Sequence, residues 1–257
     1  MNVFLTGASS GIGAALARAF ARRGACLGLV ARRADVLDEL AAQLPAACHV
    51  YALDVTDRAA LLAAARDFQQ RCGATDIVIA NAGISLGVRT EFEEDLAVFD
   101  RVLATNLGAV ATTFQPFIAP MRARRGGTLA AIASVAGVRG LPGSEAYGAS
   151  KAALINYCES LRIGLHGSGV RVVTIAPGFI RTPMTAGNPY PMPFLMDVDA
   201  FAERAMAAIV RGDTWCVIPW QMAWVARLLR ILPDRWLDAL LAGRAHKPRQ
   251  ARPPAGT

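Results

Sequence analysis

Tyr147 and Lys151 stand four residues apart in Tyr147-Gly148-Ala149-Ser150-Lys151, and both types are scarce: the chain has four Tyr and two Lys against 25 Arg. A chain that uses Arg for nearly every cation has placed Lys151 for something Arg does not do. Arg is a planar fork, whereas Lys is a slender point charge. At a spacing of i, i+4 on a helix the two side chains share a face. A phenol beside a fixed ammonium ionises more easily than a free one, which is the chemistry of a proton donor and acceptor. The same spacing also suits a solvated pair on an amphipathic helix, so the pair needs partners elsewhere in the chain.

One partner is the glycine turn Gly7-Ala8-Ser9-Ser10-Gly11-Ile12-Gly13, which follows a short apolar run and precedes an Ala-rich helical stretch. Glycines there let a backbone approach a pyrophosphate, and a helix N-terminus offers free N–H groups and the positive end of a dipole. The spacing, G-x-x-x-G-x-G, differs from the common G-x-G-x-x-G fingerprint. Downstream, the end of the second apolar run should meet the adenosine ribose. An acid there would bind a free 2′-hydroxyl, but the chain has Ala31-Arg32-Arg33. Two cations and no acid suit a 2′-phosphate, hence NADP(H) over NAD(H), unless they are simply solvated loop arginines.

These motifs need a scaffold. With 54% hydrophobic and 18% charged residues in 257, the chain has material for a large core and is not of disordered composition. Strands are expected at 2–6, 26–30, 48–53, 76–80, 127–133, 171–176 and 214–218. Helices are expected at 14–23, 34–44, 57–72, 96–124 (with a break near Pro116 and Pro120) and 147–166. Strand alternates with helix, the signature of a doubly wound parallel α/β sheet. The Pro- and Met-rich stretch 179–199 is a long loop where a lid would lie. Its Met, Phe and Leu favour an apolar substrate. The stretch 220–241 is helical, interrupted at Pro233, and carries Trp220, Trp224 and Trp236 with Arg227, Arg230 and Arg235. Core or subunit packing is the expected role, and a helix lying on a membrane surface is the alternative.

The net charge is +7, but Arg244, Lys247, Arg249 and Arg252 crowd into 244–257, which is expected as a disordered basic tail. The rest is only mildly basic, and no nucleic-acid surface is expected. Five dispersed Cys (26, 48, 72, 158, 216) without C-x-x-C read as reduced residues of a cytoplasmic protein. His49, His166 and His246 show no metal spacing, so no metal is expected. There is no signal-peptide pattern, and the apolar runs at 128–138 and 215–226 are too short to span a membrane.

Taken in order, Thr6 to Gly13, Asn81-Ala82-Gly83, Asn106, Ser134, Tyr147-x-x-x-Lys151 and Pro177-Gly178 make the chain resemble the short-chain dehydrogenase/reductase family over about residues 1–218. The resemblance implies a single Rossmann-type domain, about seven strands with flanking helices over 1–243, that moves a hydride between NAD(P) and a carbonyl or alcohol. By the same resemblance Tyr147 is the general acid in reduction and base in oxidation. Lys151 holds the nicotinamide ribose and lowers the phenol's pKa. Ser134 hydrogen-bonds the substrate oxygen, and Asn106 bends a helix and holds a relay water. Asp54 and Val55 contact adenine, while Pro177, Gly178, Ile180 and Thr182 face the nicotinamide. Asn81 could instead pair only with sheet backbone. The family's usual Asn-Asn-Ala-Gly stands here as Ala80-Asn81-Ala82-Gly83. Relatives are often dimers or tetramers, so a homo-oligomer is expected. A silent NADP(H)-binding regulator of the same fold would lose the Tyr or the Lys, and this chain keeps both.

Overall fold

The computed structural model describes residues 1–243 and 247–249. Seven strands form one sheet: β1 Asn2–Thr6, β2 Cys26–Ala31, β3 Cys48–Ala52, β4 Ile77–Ala80, β5 Gly127–Ile132, β6 Val170–Pro177 and β7 Trp215–Ile218, in the order β3-β2-β1-β4-β5-β6-β7. Every pairing is parallel. The order reverses between β1 and β4, and such a switch point opens a crevice at the carboxyl ends of the strands.

Both faces of the sheet are covered, so the strands read as unbroken apolar runs, with alternate residues entering different cores. Val3, Leu5, Leu27 and Leu29 meet helices α1 (Gly11–Ala21), α2 (Ala34–Gln43) and α7 (Val198–Arg211). Phe4, Val30 and Val78 meet α3 (Arg58–Cys72), α5 (Ala109–Ala123) and α6 (Glu145–Gly164). Phe4 is the hub of the second core, its ring 5.2 to 6.1 Å from those of Phe117, Phe68 and Tyr51. Gly28 makes room for it: a Cβ there would lie 2.7 Å from the Phe4 ring and 2.8 Å from that of Phe68.

Three stretches differ from the sequence expectation. The stretch 96–124 is not broken at its prolines: α5 runs through Pro116 and Pro120. The interruption comes earlier, at the π-helical segment Ala104–Gly108 between α4 (Leu96–Leu103) and α5. The combined run Glu93–Ala123 is also long and apolar enough to pass for a membrane span, which the sequence reading did not expect. Its Val110, Phe114, Phe117 and Met121 are nonetheless buried in the protein core. Helix α7 was not anticipated. It is capped by Asp197, whose carboxylate accepts from the N–H groups of Asp199 and Ala200, and it packs on α1.

Finally, part of the expected loose tail is fixed. The Lys247 ammonium donates to the Ser85 hydroxyl at 2.8 Å, and Arg249 clasps Asp95 and Glu94 at 2.8 to 3.0 Å while lying 3.6 Å over the Phe92 ring. The remaining tail residues, 244–246 and 250–257, lie outside the described residues. After β7 come α8 (Gln221–Ile231) and α9 (Asp234–Leu241), separated at Pro233 as the sequence predicts.

Candidate active site

A cavity of about 580 Å³ opens at the carboxyl ends of β1, β2, β4, β5 and β6, lined by residues from every motif of the sequence reading except Asn106. At one end lies the turn from β1 into α1. Gly7 and Gly11 have φ of +71° and +53°, which side chains rarely adopt. At Gly13 the constraint is contact, since a Cβ would lie 2.0 Å from the Gly7 carbonyl oxygen. Ser10 caps α1 in extended conformation without spending its hydroxyl, so the N-terminal N–H groups of the helix stay available to an anion. Asn81 holds this turn from β4. Its amide donates to the carbonyls of Thr6 and Gly7 at 3.0 and 3.1 Å, while the Thr6 hydroxyl accepts from the backbone of Asn81 and Ala82.

Arg32 and Arg33 line the same end, with Ala31, Asp54, Val55 and Thr56. Arg33 reaches back to the Ser9 hydroxyl at 3.2 Å. Arg32 is 74% exposed at its side chain and lies 4.0 Å from the Asp54 carboxylate. Asp54 is held below its ordinary pKa, chiefly by the Thr56 backbone N–H and more weakly by Arg32. This end therefore offers two guanidinium groups, one of them free to turn toward a ligand.

At the other end stand Ser134, Tyr147 and Lys151. Ser134 follows β5, and its hydroxyl oxygen accepts from the Ala136 N–H at 3.1 Å, which fixes the side chain. Tyr147 and Lys151 lie on α6, one turn apart. The Lys151 ammonium is buried, donates to the Ile132 carbonyl at 2.7 Å and lies 5.9 Å from the centre of the Tyr147 ring. Burial pulls its pKa down from 10.5 to about 8. Burial likewise pushes the Tyr147 phenol up, against the pull of the Ser134 hydroxyl and with the help of Tyr190. At this phenol burial outweighs the hydrogen bond with Ser134.

Asn106 sits in the π segment, fully buried and outside the cavity lining. Its carbonyl accepts from the Ile84 N–H at 2.8 Å, and its amide donates to the Ile84 carbonyl at 2.9 Å and to the Ser150 hydroxyl at 3.0 Å. It ties α6 and the loop after β4 to the bent helix. Pro177, Gly178, Ile180 and Thr182 line the cavity beyond β6. The 179–199 loop folds back there, with the Arg181 N–H donating to the Met196 carbonyl at 2.9 Å.

The sequence reading missed Tyr190, Thr185 and Arg101. Tyr190 reaches the electrostatic neighbourhood of Tyr147 from the loop, whereas Thr185 and Arg101 line the cavity. The single Tyr of the Met- and Pro-rich loop was the available signal for Tyr190; nothing in the local sequence marks the other two. Nor did it foresee that Cys26, His49 and Cys72, scattered along the chain, bring their ligand atoms within 4.8 Å of one another at the far end of the sheet. The two sulfurs are 3.0 Å apart. That is closer than the roughly 3.7 Å two thiolates keep on one tetrahedral zinc, so the trio stands as a packed thiol pair beside an imidazole.

The dinucleotide implied by the resemblance fits these residues: the glycine cradle has no room for side chains, the first N–H groups of α1 take no bond from the Ser10 hydroxyl, and the Arg32 and Arg33 guanidiniums line the same end. Comparison with known proteins agrees. A family model described as short chain dehydrogenase matches residues 1–190. An uncharacterised oxidoreductase of Myxococcus xanthus is 40% identical over 244 residues, 93% of this chain and 95% of that protein. A 3-oxoacyl-[acyl-carrier-protein] reductase of Thermotoga maritima is 37% identical over 72% of this chain and 76% of its own. Among solved structures, a 3-ketoacyl-ACP reductase from Sinorhizobium meliloti superposes with a TM-score of 0.77 at 26% identity, covering 88% of this chain and all of that one. An alcohol dehydrogenase from Thermococcus sibiricus, complexed with 5-hydroxy-NADP, gives 0.72 at 27% identity over 84% and 95%.

Proposed function

The chain belongs to the short-chain dehydrogenase/reductase family and is an NAD(P)-dependent oxidoreductase, and from that premise we propose that it uses NADP(H) to interconvert the carbonyl and secondary alcohol of an apolar substrate. One observation carries this reading: the glycine cradle, the Arg32–Arg33 pair and the Ser134–Tyr147–Lys151 group all line one cavity. When bound, the nicotinamide gives or takes the hydride.

The chain's own residues handle the proton and the charge. In reduction, negative charge grows on the substrate oxygen. Ser134 donates a hydrogen bond to it and Tyr147 supplies the proton. Lys151, anchored by the Ile132 carbonyl, presents its remaining N–H groups at the cavity floor to hold the ribose hydroxyls. Arg32 and Arg33 meet the 2′-phosphate, while Asp54 and Val55 border the adenine. Asn106 positions rather than touches: it holds α6, and with it Tyr147, against the loop after β4. Met184 and Met196 in the covering loop favour an apolar substrate. Free cysteines throughout suit a cytoplasmic protein, and the exposed Leu96 and Ile163 give the long helices apolar contacts for a homo-oligomer.

The test is a panel of apolar ketones and secondary alcohols followed by nicotinamide absorbance with NADPH and NADH in parallel, repeated on Tyr147→Phe. Turnover with NADPH that disappears in Tyr147→Phe, while NADPH still binds, is the expected result. A Tyr147→Phe variant that kept most of the activity would remove the proton-transfer role.

A further inference from the structure

Helix α8 is apolar on two opposite sides, and the described residues cover only one. At 100° per residue, Trp220, Trp224, Leu228 and Ile231 fall within an arc of about 80°. These four side chains are 61% to 77% exposed. On the opposite side Met222 and Ala226 are buried. Helix α9 repeats the arrangement, with Trp236 and Leu240 exposed one turn apart and Leu237 buried. Five large apolar side chains, Trp220, Trp224, Leu228, Ile231 and Trp236, stand exposed on or beside two consecutive helices and mark a surface that a partner outside the described residues covers.

The neighbouring charges say what. Helix α8 carries Arg227 and Arg230 and no acid, and the Arg227 guanidinium lies 5.4 Å over the Trp224 ring. Of the two acids in α9, Asp234 is paired with Arg139. A symmetric contact with a second copy centred on α8 would bring the two Arg227 side chains near each other with no acid of the helix to meet them. Anionic headgroups would instead receive them, and Trp is the side chain that favours the boundary between headgroup and hydrocarbon.

The helices also stand at the active-site end of the sheet. Met222 packs on Gly178, where a Cβ would lie 2.6 Å from its Cγ. Arg230 donates to the Val138 carbonyl at 3.2 Å and Arg139 to that of Leu232 at 3.3 Å, next to the turn that Ser134 caps. We propose that α8 and α9 dock flat on an anionic bilayer, with the exposed Trp, Leu and Ile side chains at the acyl boundary and Arg227 among the headgroups.

All four Trp of the chain (215, 220, 224 and 236) lie in or just before this pair of helices, so unlabelled emission reads the surface directly. The full chain is mixed with phosphatidylcholine vesicles with and without phosphatidylglycerol. Blue-shifted emission, quenching by chain-brominated lipid and co-flotation with the anionic vesicles are expected, all weakened by salt. A variant carrying Trp224→Ser, Leu228→Ser and Ile231→Ser should partition about a hundredfold more weakly. Its NADPH binding should be unchanged, which controls for folding. The proposal is overturned if anionic vesicles leave emission and flotation unchanged. It also fails if the triple variant binds them as well as the parent, or if the blue shift arises without lipid from a concentration-dependent dimer.

Discussion

A lysine ammonium buried to 4% exposure sets a measurable balance at the residue scale. Lys151 has an ordinary pKa of 10.5 and one of about 8 in the folded protein, because burial disfavours the charged form. Between those two values the unfolded chain binds the extra proton, so stability rises with pH there; below about 8 the full penalty remains. The unfolding free energy of the parent, less that of Lys151→Met, should therefore climb by about 3 kcal/mol from pH 8 to 10.5 without dinucleotide. A flat difference in denaturant titrations would mean the ammonium is not desolvated. Arg32 gives a second prediction. Its replacement by Ala should weaken NADPH at least about tenfold while barely changing NADH, as measured by fluorescence titration, because only NADPH carries the 2′-phosphate that a guanidinium grips. Residue types and spacings were legible in the sequence at this scale, since i, i+4 on a helix fixes a shared face wherever the helix lies. The direction of the Tyr147 shift was not, because desolvation depends on what packs over the phenol.

Asn106 shows what an element does that a residue cannot. Its side chain makes three hydrogen bonds that tie the π segment to α6 and to the loop after β4. Asn106→Ala would leave the Ile84 groups and the Ser150 hydroxyl short of partners in a buried place. It should destabilise by roughly 2–4 kcal/mol in urea unfolding, and lower kcat more than it raises the KM for substrate, because α6 carries Tyr147. A second element-level contact is the Arg249 clasp. Asp95 is 3% exposed at its side chain and is held below its ordinary pKa first by Arg249 and then by the Arg89 N–H. Arg249→Ala would strand that carboxylate, so the thermal midpoint should fall by several degrees at pH 7 and much less near pH 3, where the acid takes up a proton. The helix with two prolines was misread because a proline's penalty is local, while burial of Phe114, Phe117 and Met121 favours the helix over its whole length. Helix α7 was missed because its first turn abuts the Pro-rich loop, and only its packing on α1 shows it to be a layer of the fold.

At the scale of the whole molecule the sheet divides two cores, and Phe4 reaches the second from the middle of β1. Phe4→Ala should cost about 3–5 kcal/mol of unfolding free energy and leave the dinucleotide end of the cavity in place, since that end rests on Thr6, Gly7 and Asn81. The sequence by itself determined the alternation of strand and helix, the glycine cradle, the two arginines beyond β2 and the spacing of Tyr147 and Lys151. Each is a local pattern of period, φ or side-chain type, readable without knowing what lies across the fold. Tertiary structure alone decided which side chains were desolvated and which met. It raised the Tyr147 pKa and lowered that of Lys151, made Asn106 a tie between elements, drew Arg249 onto Asp95 from 154 residues away and left one face of α8 bare. The physical reason is that solvation and long-range contact belong to the packed arrangement of layers, and no window of sequence contains the other side of its own interface.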